Sequence, residues 1–178
     1  MNLKSKIRTI PDWPKKGVMF KDITTLLKDA NALQFAMSEM VNYCINNQIH
    51  ADKIVAAEAR GFIFGSILAH ELHAGFVPVR KSGKLPSKTV RQNFETEYSK
   101  GSFEMHADAL NNGDSVIIVD DLLATGGTAI AAAKLVESQG ATVKSFCFLV
   151  SLKFLKGREK LEKAGYKVFS LVDYEKEE

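Results

Sequence analysis

The chain has 178 residues, which is enough for one domain with a substantial hydrophobic core. Hydrophobic residues make up 46% of the sequence and charged residues 25%, and the net charge of +3 is too small to indicate a nucleic-acid-binding protein. The apolar runs are too short for a membrane-spanning segment, and residues 1–13 lack the apolar core of a signal peptide.

The predicted elements begin after an irregular N-terminal segment. Pro11, Pro14 and Gly17 break any periodicity over residues 10–27. Apolar residues then recur at spacings of three and four, which predicts a helix over residues 32–48 with one buried face.

The rest of the chain alternates between short apolar runs and helical patterns. The runs predict strands over residues 54–57, 76–80, 116–119, 146–150 and 168–172. The helical patterns between them cover residues 61–73, 127–139 and 155–164. Because the runs are apolar throughout, both faces of each strand are predicted to be covered, as in a parallel sheet. The sequence therefore predicts an α/β fold with a mainly parallel sheet flanked by helices.

One segment, residues 82–101, fits neither pattern. A basic cluster that would suit a compact anionic ligand overlaps its start and contains Arg80, Lys81, Lys84, Lys88 and Arg91. A loop of this length inside a compact domain is usually functional or disordered. We consider two interpretations that are compatible with each other, a lid over an active site and a two-stranded excursion.

The two cysteines, Cys44 and Cys147, lie on a predicted helix and within an apolar run. Both are expected to be buried free thiols, which is typical of a reducing compartment. Since neither a signal peptide nor a membrane segment is predicted, we expect a cytoplasmic protein.

The most informative motif follows the predicted strand at residues 116–119. Asp120 and Asp121 come directly after the strand, and the loop Thr125-Gly126-Gly127-Thr128 leads into a helix. Glycines let the backbone approach an anion closely, and the amides of a helix start favour a phosphate. Because carboxylates are poor phosphate ligands, the two acids would bind ribose hydroxyls or a metal ion. For the loop alone, a plain turn with a helix cap is the alternative.

The stretch from Val119 to Thr128 resembles the phosphoribosyl pyrophosphate signature of type I phosphoribosyltransferases. The resemblance implies that Asp120 and Asp121 bind the ribose hydroxyls. It also implies that the 5-phosphate is held by Ala124, Thr125, Gly126, Gly127 and Thr128.

Three further stretches resemble segments of the adenine phosphoribosyltransferases and occur in the same order. Residues 10–24 resemble their base-binding hood, and residues 57–62 resemble their pyrophosphate loop. Residues 80–86, together with Glu97 and Tyr98, resemble their flexible catalytic loop. Residues 156–161 also resemble the family.

The resemblance implies a single phosphoribosyltransferase domain over residues 1–178. The hood would cover about residues 1–30, and the lid loop would cover residues 82–101. It further implies a non-proline cis peptide bond between Glu58 and Ala59.

The resemblance also implies a role for each of several residues. The catalytic residues would be Glu97, Arg60 and Arg80. The phosphoribosyl pyrophosphate site would also include Glu58, Ala59, Lys81 and Lys84. Adenine would contact Met19, Phe20 and Lys21, of which Lys21 stands where the family often has arginine.

The implied reaction transfers the 5-phosphoribosyl group from phosphoribosyl pyrophosphate to adenine, giving AMP and pyrophosphate. Mg²⁺ is the implied cofactor, held mainly through the substrate rather than by direct protein ligands. The implied assembly is a homodimer, with no nucleic-acid or membrane partner. The alternatives are a phosphoribosyltransferase for a 6-oxopurine and a non-catalytic regulator that senses phosphoribosyl pyrophosphate. A synthetase of phosphoribosyl pyrophosphate would need a nucleotide site, for which we find no motif.

Overall fold

The computed structural model describes residues 1–95 and 100–177. Its N-terminal elements are β1 (Arg8–Ile10), β2 (Phe20–Asp22), α1 (Thr24–Leu27), α2 (Ala30–Asn46), β3 (Lys53–Ala57), α3 (Gly61–Glu71) and β4 (Gly75–Lys81). They are followed by β5 (Thr89–Glu95), β6 (Lys100–His106), β7 (Ser115–Leu123), α4 (Gly127–Ser138), β8 (Thr142–Leu152), α5 (Gly157–Lys163) and β9 (Val168–Tyr174).

The described strands form a seven-stranded sheet in the order β5-β6-β4-β3-β7-β8-β9. Strands β4, β3, β7, β8 and β9 run parallel to one another, while β6 pairs antiparallel with both β4 and β5. Helices connect the parallel strands and leave a hydrophobic core on each face of the sheet. The predicted α/β fold with a mainly parallel sheet is confirmed.

The irregular segment predicted at residues 10–27 is partly wrong. It contains β2, which pairs antiparallel with β1 to form a separate two-stranded hood, and the single-turn helix α1. Three-residue strands are too short to show a period in the sequence. Asp22 links α1 to β1. Its Oδ1 accepts from Thr24 N at 2.9 Å, and its Oδ2 accepts from the Arg8 guanidinium.

Two predicted boundaries also differ from the structure. Strand β7 does not end at Val119 but continues through Asp120 and Asp121 to Leu123, because pairing with β8 persists along that length. The helix predicted at residues 155–164 is broken by Lys156, whose φ of +58° is left-handed, so α5 begins only at Gly157.

Residues 82–101 include all of β5 and the start of β6, so the two-stranded interpretation is confirmed for the described part. The hairpin attaches to the main sheet where β6 pairs with β4 at Arg80 and Lys81. Its role as a lid stays a prediction. Cys44 and Cys147 are both buried free thiols, as predicted.

Close packing of α3 on the sheet depends on Gly65. A Cβ atom at this position would lie 2.7 Å from Ala56 Cβ and 3.1 Å from the Phe76 ring. Both distances are shorter than normal van der Waals contact, so the helix can approach β3 this closely only because the residue has no side chain.

We therefore expect Gly65→Ala to lower the free energy of unfolding by about 1–3 kcal/mol, the usual cost of overpacking a core. Ser66→Ala on the exposed side of the same helix is the matched control, with an expected change within about 0.5 kcal/mol. Urea unfolding followed by circular dichroism measures both. Equal stability of the two variants would contradict the tight contact.

Candidate active site

A cavity of about 730 Å³ opens where the parallel strands end and the hood covers the sheet. This is the edge at which open α/β sheets bind ligands. Four parts of the chain line the cavity. They are the hood with Trp13, Pro14 and residues 18–21, residues 57–60 at the end of β3, residues 120–122 with the following loop, and Leu152, Phe154 and Leu155 at the end of β8. Single residues from elsewhere complete the lining, namely Lys81, Phe94, Phe103 and Glu177.

Two adjacent carboxylates stand at the centre of this edge. The Asp121 side chain is 6% exposed, and its Oδ2 lies 2.6 Å from Arg60 Nε in an ion pair. Asp120 keeps part of its surface on the cavity, and its Oδ1 accepts a hydrogen bond from Asp121 N at 2.9 Å. Successive side chains of a strand point to opposite faces of the sheet, yet both acids line the cavity.

The electrostatics of the pair are unfavourable to ionisation. Burial raises the pKa of Asp120 well above its usual range, and the charge of Asp121 adds to the shift. Burial also raises the pKa of Asp121, although the Arg60 guanidinium opposes that shift. The site therefore favours cations close to the two carboxylates.

Helix α3 begins directly beside Asp120. A Cβ atom on Gly61 would lie 2.9 Å from Asp120 Oδ1 and 3.0 Å from Val119 O. Only glycine permits this approach, so the start of α3 fixes the orientation of the Asp120 carboxylate.

The loop from Ala124 to Thr128 has the backbone geometry that the sequence motif predicts. Gly126 has a φ of +79°, a left-handed conformation that favours glycine, and it caps the twelve-residue helix α4. The first turn of a helix has backbone N–H groups without helical partners, and its dipole favours an anion. The loop lines the cavity next to the two acids and is suited to bind a phosphate.

The loop after β3 gathers positive charge at the cavity wall. The predicted cis bond between Glu58 and Ala59 is present. The Glu58 carboxylate accepts from Arg80 Nε at 2.9 Å and from Lys81 N at 2.8 Å, and Lys84 Nζ lies 3.5 Å away. Although burial acts in the opposite direction, these hydrogen bonds and charges lower the pKa of Glu58.

The hood presents an aromatic surface to the cavity. Phe20 packs edge-on against Trp13, with ring centroids 4.3 Å apart. Arg60 also approaches this ring, since its guanidinium carbon lies 5.6 Å from the Phe20 centroid. An exposed aromatic pair of this kind is suited to a planar ligand.

The side chain of Lys21 is buried and makes its contacts within the protein. The residue is 3% exposed, and its Nζ donates to Thr9 Oγ1 at 3.0 Å. The same ammonium group lies 4.2 Å from the centroid of the Tyr174 ring. Its side chain therefore ties the hood to β9, and its backbone is the part suited to contact a ligand.

No sequence motif points to Glu177, which also lines the cavity. Its Oε1 accepts from Met19 N at 3.4 Å, across a separation of 158 residues in the chain. Trp13 was within the hood motif and could have been chosen as an aromatic neighbour of Phe20. The apolar residues after β8 have no motif that distinguishes them from core residues.

The structure brings most of the predicted site residues to this one cavity. Those that line it are Met19, Phe20, Lys21, Glu58, Ala59, Arg60, Lys81, Asp120, Asp121, Ala124, Thr125, Gly126 and Thr128. Arg80 and Lys84 contact Glu58, which lines the cavity, and Gly127 is the first residue of α4. Glu97 lies outside the described residues.

Metal binding by protein groups alone has no candidate among residues 1–95 and 100–177, because no cluster of three or more histidine, cysteine or acidic side chains has suitable geometry. Mg²⁺ commonly binds through one or two carboxylates together with substrate phosphates. The Asp120 and Asp121 pair beside the Ala124–Thr128 loop fits that arrangement. In the same part of the chain, no helix is long and apolar enough to cross a membrane.

Comparisons with known proteins agree with this geometry. Residues 24–177 match the family model of the phosphoribosyl transferase domain. The chain is 51% identical over 175 residues to an adenine phosphoribosyltransferase of Prosthecochloris aestuarii, covering 98% of this chain and 99% of that protein. It is 52% identical over 177 residues to one from Chlorobium luteolum, covering 99% and 100%.

Solved structures give the same result. The crystal structure of adenine phosphoribosyltransferase from Thermoanaerobacter pseudethanolicus superposes with a TM-score of 0.91 at 52% identity, covering 97% of this chain and 98% of that one. The Giardia lamblia enzyme complexed with 9-deazaadenine superposes with a TM-score of 0.92 at 36% identity, covering 98% and 97%.

The raised pKa of Asp120 predicts that ionising this carboxyl group lowers the stability of the folded protein. Because the pKa of Asp120 is raised in the folded state, the folded protein keeps this proton at pH values where the unfolded chain releases it. Stability should therefore fall as the pH rises from the ordinary value of 3.8 towards the raised value. Asp120→Asn removes this loss, so its melting temperature should exceed that of the wild type at pH 7 by a few degrees, equivalent to about 1 kcal/mol.

Calorimetry between pH 3 and pH 8 tests this expectation. The difference between Asp120→Asn and the wild type should shrink towards pH 3, where both forms are uncharged at this position. Asp108→Asn, an exposed change on the surface, is the control and should show no such dependence. A wild type that is more stable than Asp120→Asn throughout would contradict the raised pKa.

Proposed function

The chain belongs to the phosphoribosyltransferase family, and we propose on this premise that it transfers the 5-phosphoribosyl group of phosphoribosyl pyrophosphate to adenine. The products are AMP and pyrophosphate, as in purine salvage. The observation that carries the proposal is one continuous cavity bordered by an aromatic hood, an acid pair and the glycine-containing loop at the start of α4. The full-length similarity to adenine phosphoribosyltransferases supports adenine over a 6-oxopurine and over a regulatory role.

The acid pair suits the ribose. Hydroxyl groups of the sugar can donate hydrogen bonds to Asp120 and Asp121, while the loop from Ala124 to Thr128 takes the 5-phosphate. As pyrophosphate leaves, positive charge develops on the ribose ring, and nearby carboxylates stabilise it. The start of α3 at Gly61 keeps Asp120 in a fixed orientation, so the protein need not reorganise during the reaction.

In the bond exchange, N9 of adenine supplies the electron pair for the new bond to the anomeric carbon. The bond from that carbon to pyrophosphate breaks, and pyrophosphate leaves with the electron pair. The proton of N9 passes to a general base, for which we propose Glu97 from its motif alone.

The positive charges around the cavity suit the leaving group. Arg60 pairs with Asp121, and Arg80 and Lys84 pair with Glu58, so each cation has a carboxylate partner. We propose that these groups, with Lys81, turn towards pyrophosphate when it binds. Mg²⁺ held by the substrate phosphates would neutralise further charge on the leaving group. Residues 82–101, if they close over the cavity as a lid, would exclude water from the activated sugar.

Base choice would depend on backbone groups of the hood. We propose that the Met19 carbonyl accepts from the 6-amino group, that the Lys21 amide donates to N1, and that Phe20 stacks on the ring. The position of Met19, Phe20 and Lys21 in the cavity lining supports this assignment. A 6-oxopurine would set carbonyl against carbonyl and N–H against N–H there.

The assembly and location remain part of the proposal. The apolar residues Ile63 and Phe76 are 36% and 37% exposed, and Phe62 packs against Phe76 with ring centroids 5.7 Å apart. Such a surface supports a homodimer, in which Lys81 would reach the neighbouring site. The free thiols Cys44 and Cys147 support a cytoplasmic location. We further propose that residues 1–178 act as one domain.

Turnover with adenine, hypoxanthine, guanine and xanthine, at fixed phosphoribosyl pyrophosphate and Mg²⁺, tests the function. We expect adenine to be preferred by roughly 10²–10⁴, because two buried mismatches cost about 1–3 kcal/mol each. Met19→Leu should keep the preference, since the backbone reads the base. Phe20→Ala should weaken the use of every purine. Comparable turnover with a 6-oxopurine would refute adenine specificity.

The acid pair gives a second test. Asp120→Asn and Asp121→Asn keep the side-chain shape but remove the charge, and each should reduce kcat by about 10²-fold or more. Asp108→Asn is the matched control and should retain wild-type turnover. Steady-state kinetics at saturating substrates measures all three, and near-normal turnover in both site variants would exclude the proposed ribose role.

A further inference from the structure

The junction between β8 and α5 lies directly behind the phosphate-binding loop. A Cβ atom on Gly157 would lie 2.1 Å from Ala124 O and 2.9 Å from Gly126 N. In the other direction, a Cβ atom on Gly126 would lie 3.2 Å from Gly157 O. The two segments therefore pack backbone against backbone, with no space for a methyl group between them.

The backbone conformation of Gly157 does not itself require glycine. The left-handed residue at this junction is Lys156, with a φ of +58°, whereas Gly157 is the first residue of α5 and has no positive φ. Alanine has a higher helix propensity than glycine, so α5 alone would favour alanine here. The contact with the loop is what excludes a side chain.

Helix α5 is fixed on its other side. Leu161 is fully buried, and Arg158 Nη1 donates to Val168 O at 2.9 Å while Nη2 bonds Ser170 on β9. The helix cannot move back to relieve a clash without breaking these contacts. An added methyl group at position 157 would therefore displace the loop.

The contact also orients the loop. The Ala124 carbonyl points towards Gly157, and the peptide that follows is trans. In a trans peptide the N–H points opposite to the C=O, so the Thr125 N–H is directed away from Gly157. The same residues, Ala124 and Thr125, line the cavity.

We propose that Gly157 is a positioning residue for the 5-phosphate of phosphoribosyl pyrophosphate. Its missing side chain lets the start of α5 act as a rigid backing that sets the Ala124–Gly126 backbone. The inference rests on the proposed function, because it assumes that this loop binds the phosphate. It assigns to residues 153–157 a part in substrate affinity although Gly157 itself touches no substrate.

Gly157→Ala tests the proposal through the two Michaelis constants. We expect KM for phosphoribosyl pyrophosphate to rise at least about tenfold, since sub-ångström displacements of binding groups are costly. KM for adenine should stay within about twofold, because the atoms nearest to a Cβ on Gly157 belong to Ala124 and Gly126 and not to the hood. Lys163→Ala, an exposed change on the same helix, is the control and should leave both constants unchanged. An unchanged KM for phosphoribosyl pyrophosphate in folded Gly157→Ala would overturn the proposal, as would equal rises in both constants.

A second measurement on the wild type covers the case in which Gly157→Ala does not fold. Hydrogen exchange is followed with and without ribose 5-phosphate, which needs no base and no turnover. Binding should slow exchange in residues 124–128 and in residues 153–158 together, since the two backbones are in contact. Protection of residues 124–128 alone would overturn the proposal. Wild-type turnover with adenine tests the proposed function separately, so the two failures are distinguishable.

Discussion

Two carboxylates side by side at the end of a buried central strand are the constraint on which the rest of this site depends. Asp120 and Asp121 are costly to ionise where they lie, because burial raises the pKa of both and the charge of Asp121 raises the pKa of Asp120 further. The surrounding elements respond to that cost. Arg60 pairs with one acid, and Gly61 lets the start of α3 contact the other. The sheet itself supplies the fixed backbone from which both side chains project.

The same principle recurs at the cavity wall. Glu58 gathers Arg80 and Lys84 around one carboxylate, as Asp121 holds Arg60. In both places the protein keeps basic side chains ordered near the cavity by pairing them with its own acids. An anionic ligand would then exchange partners with groups that are already in place, rather than recruit mobile side chains from solvent.

The sequence was sufficient where the chemistry is contiguous. The acid pair and the glycine loop lie within nine residues, from Asp120 to Thr128, and the strand and helix that frame them have clear hydrophobic patterns. The cis bond at Glu58 followed from the motif rather than from any period. The predicted end of β7 at Val119 was wrong, because two adjacent aspartates are not typical of a strand, although the pairing with β8 continues past them.

Contacts between distant parts of the chain were not predictable. Glu177 meets Met19 only because β9 ends beside the hood, and no pattern in the sequence links the two. Lys21 is predicted to contact adenine, yet the tertiary structure holds its side chain against Thr9 and Tyr174. Gly157 lies inside the helix predicted at residues 155–164, and no sequence pattern indicates its close approach to the Ala124 carbonyl. These features depend on how elements pack, which a single sequence does not encode locally.

The contact between Trp13 and Phe20 has a spectroscopic consequence. Trp13 is the single tryptophan of the chain. It is half-exposed and lies in the part of the hood that lines the cavity. The indole emission of this protein therefore comes from one known position in the hood, and that emission depends on polarity and on neighbouring rings. The native chain thus carries its own optical probe of that region, with no label and no competing tryptophan signal.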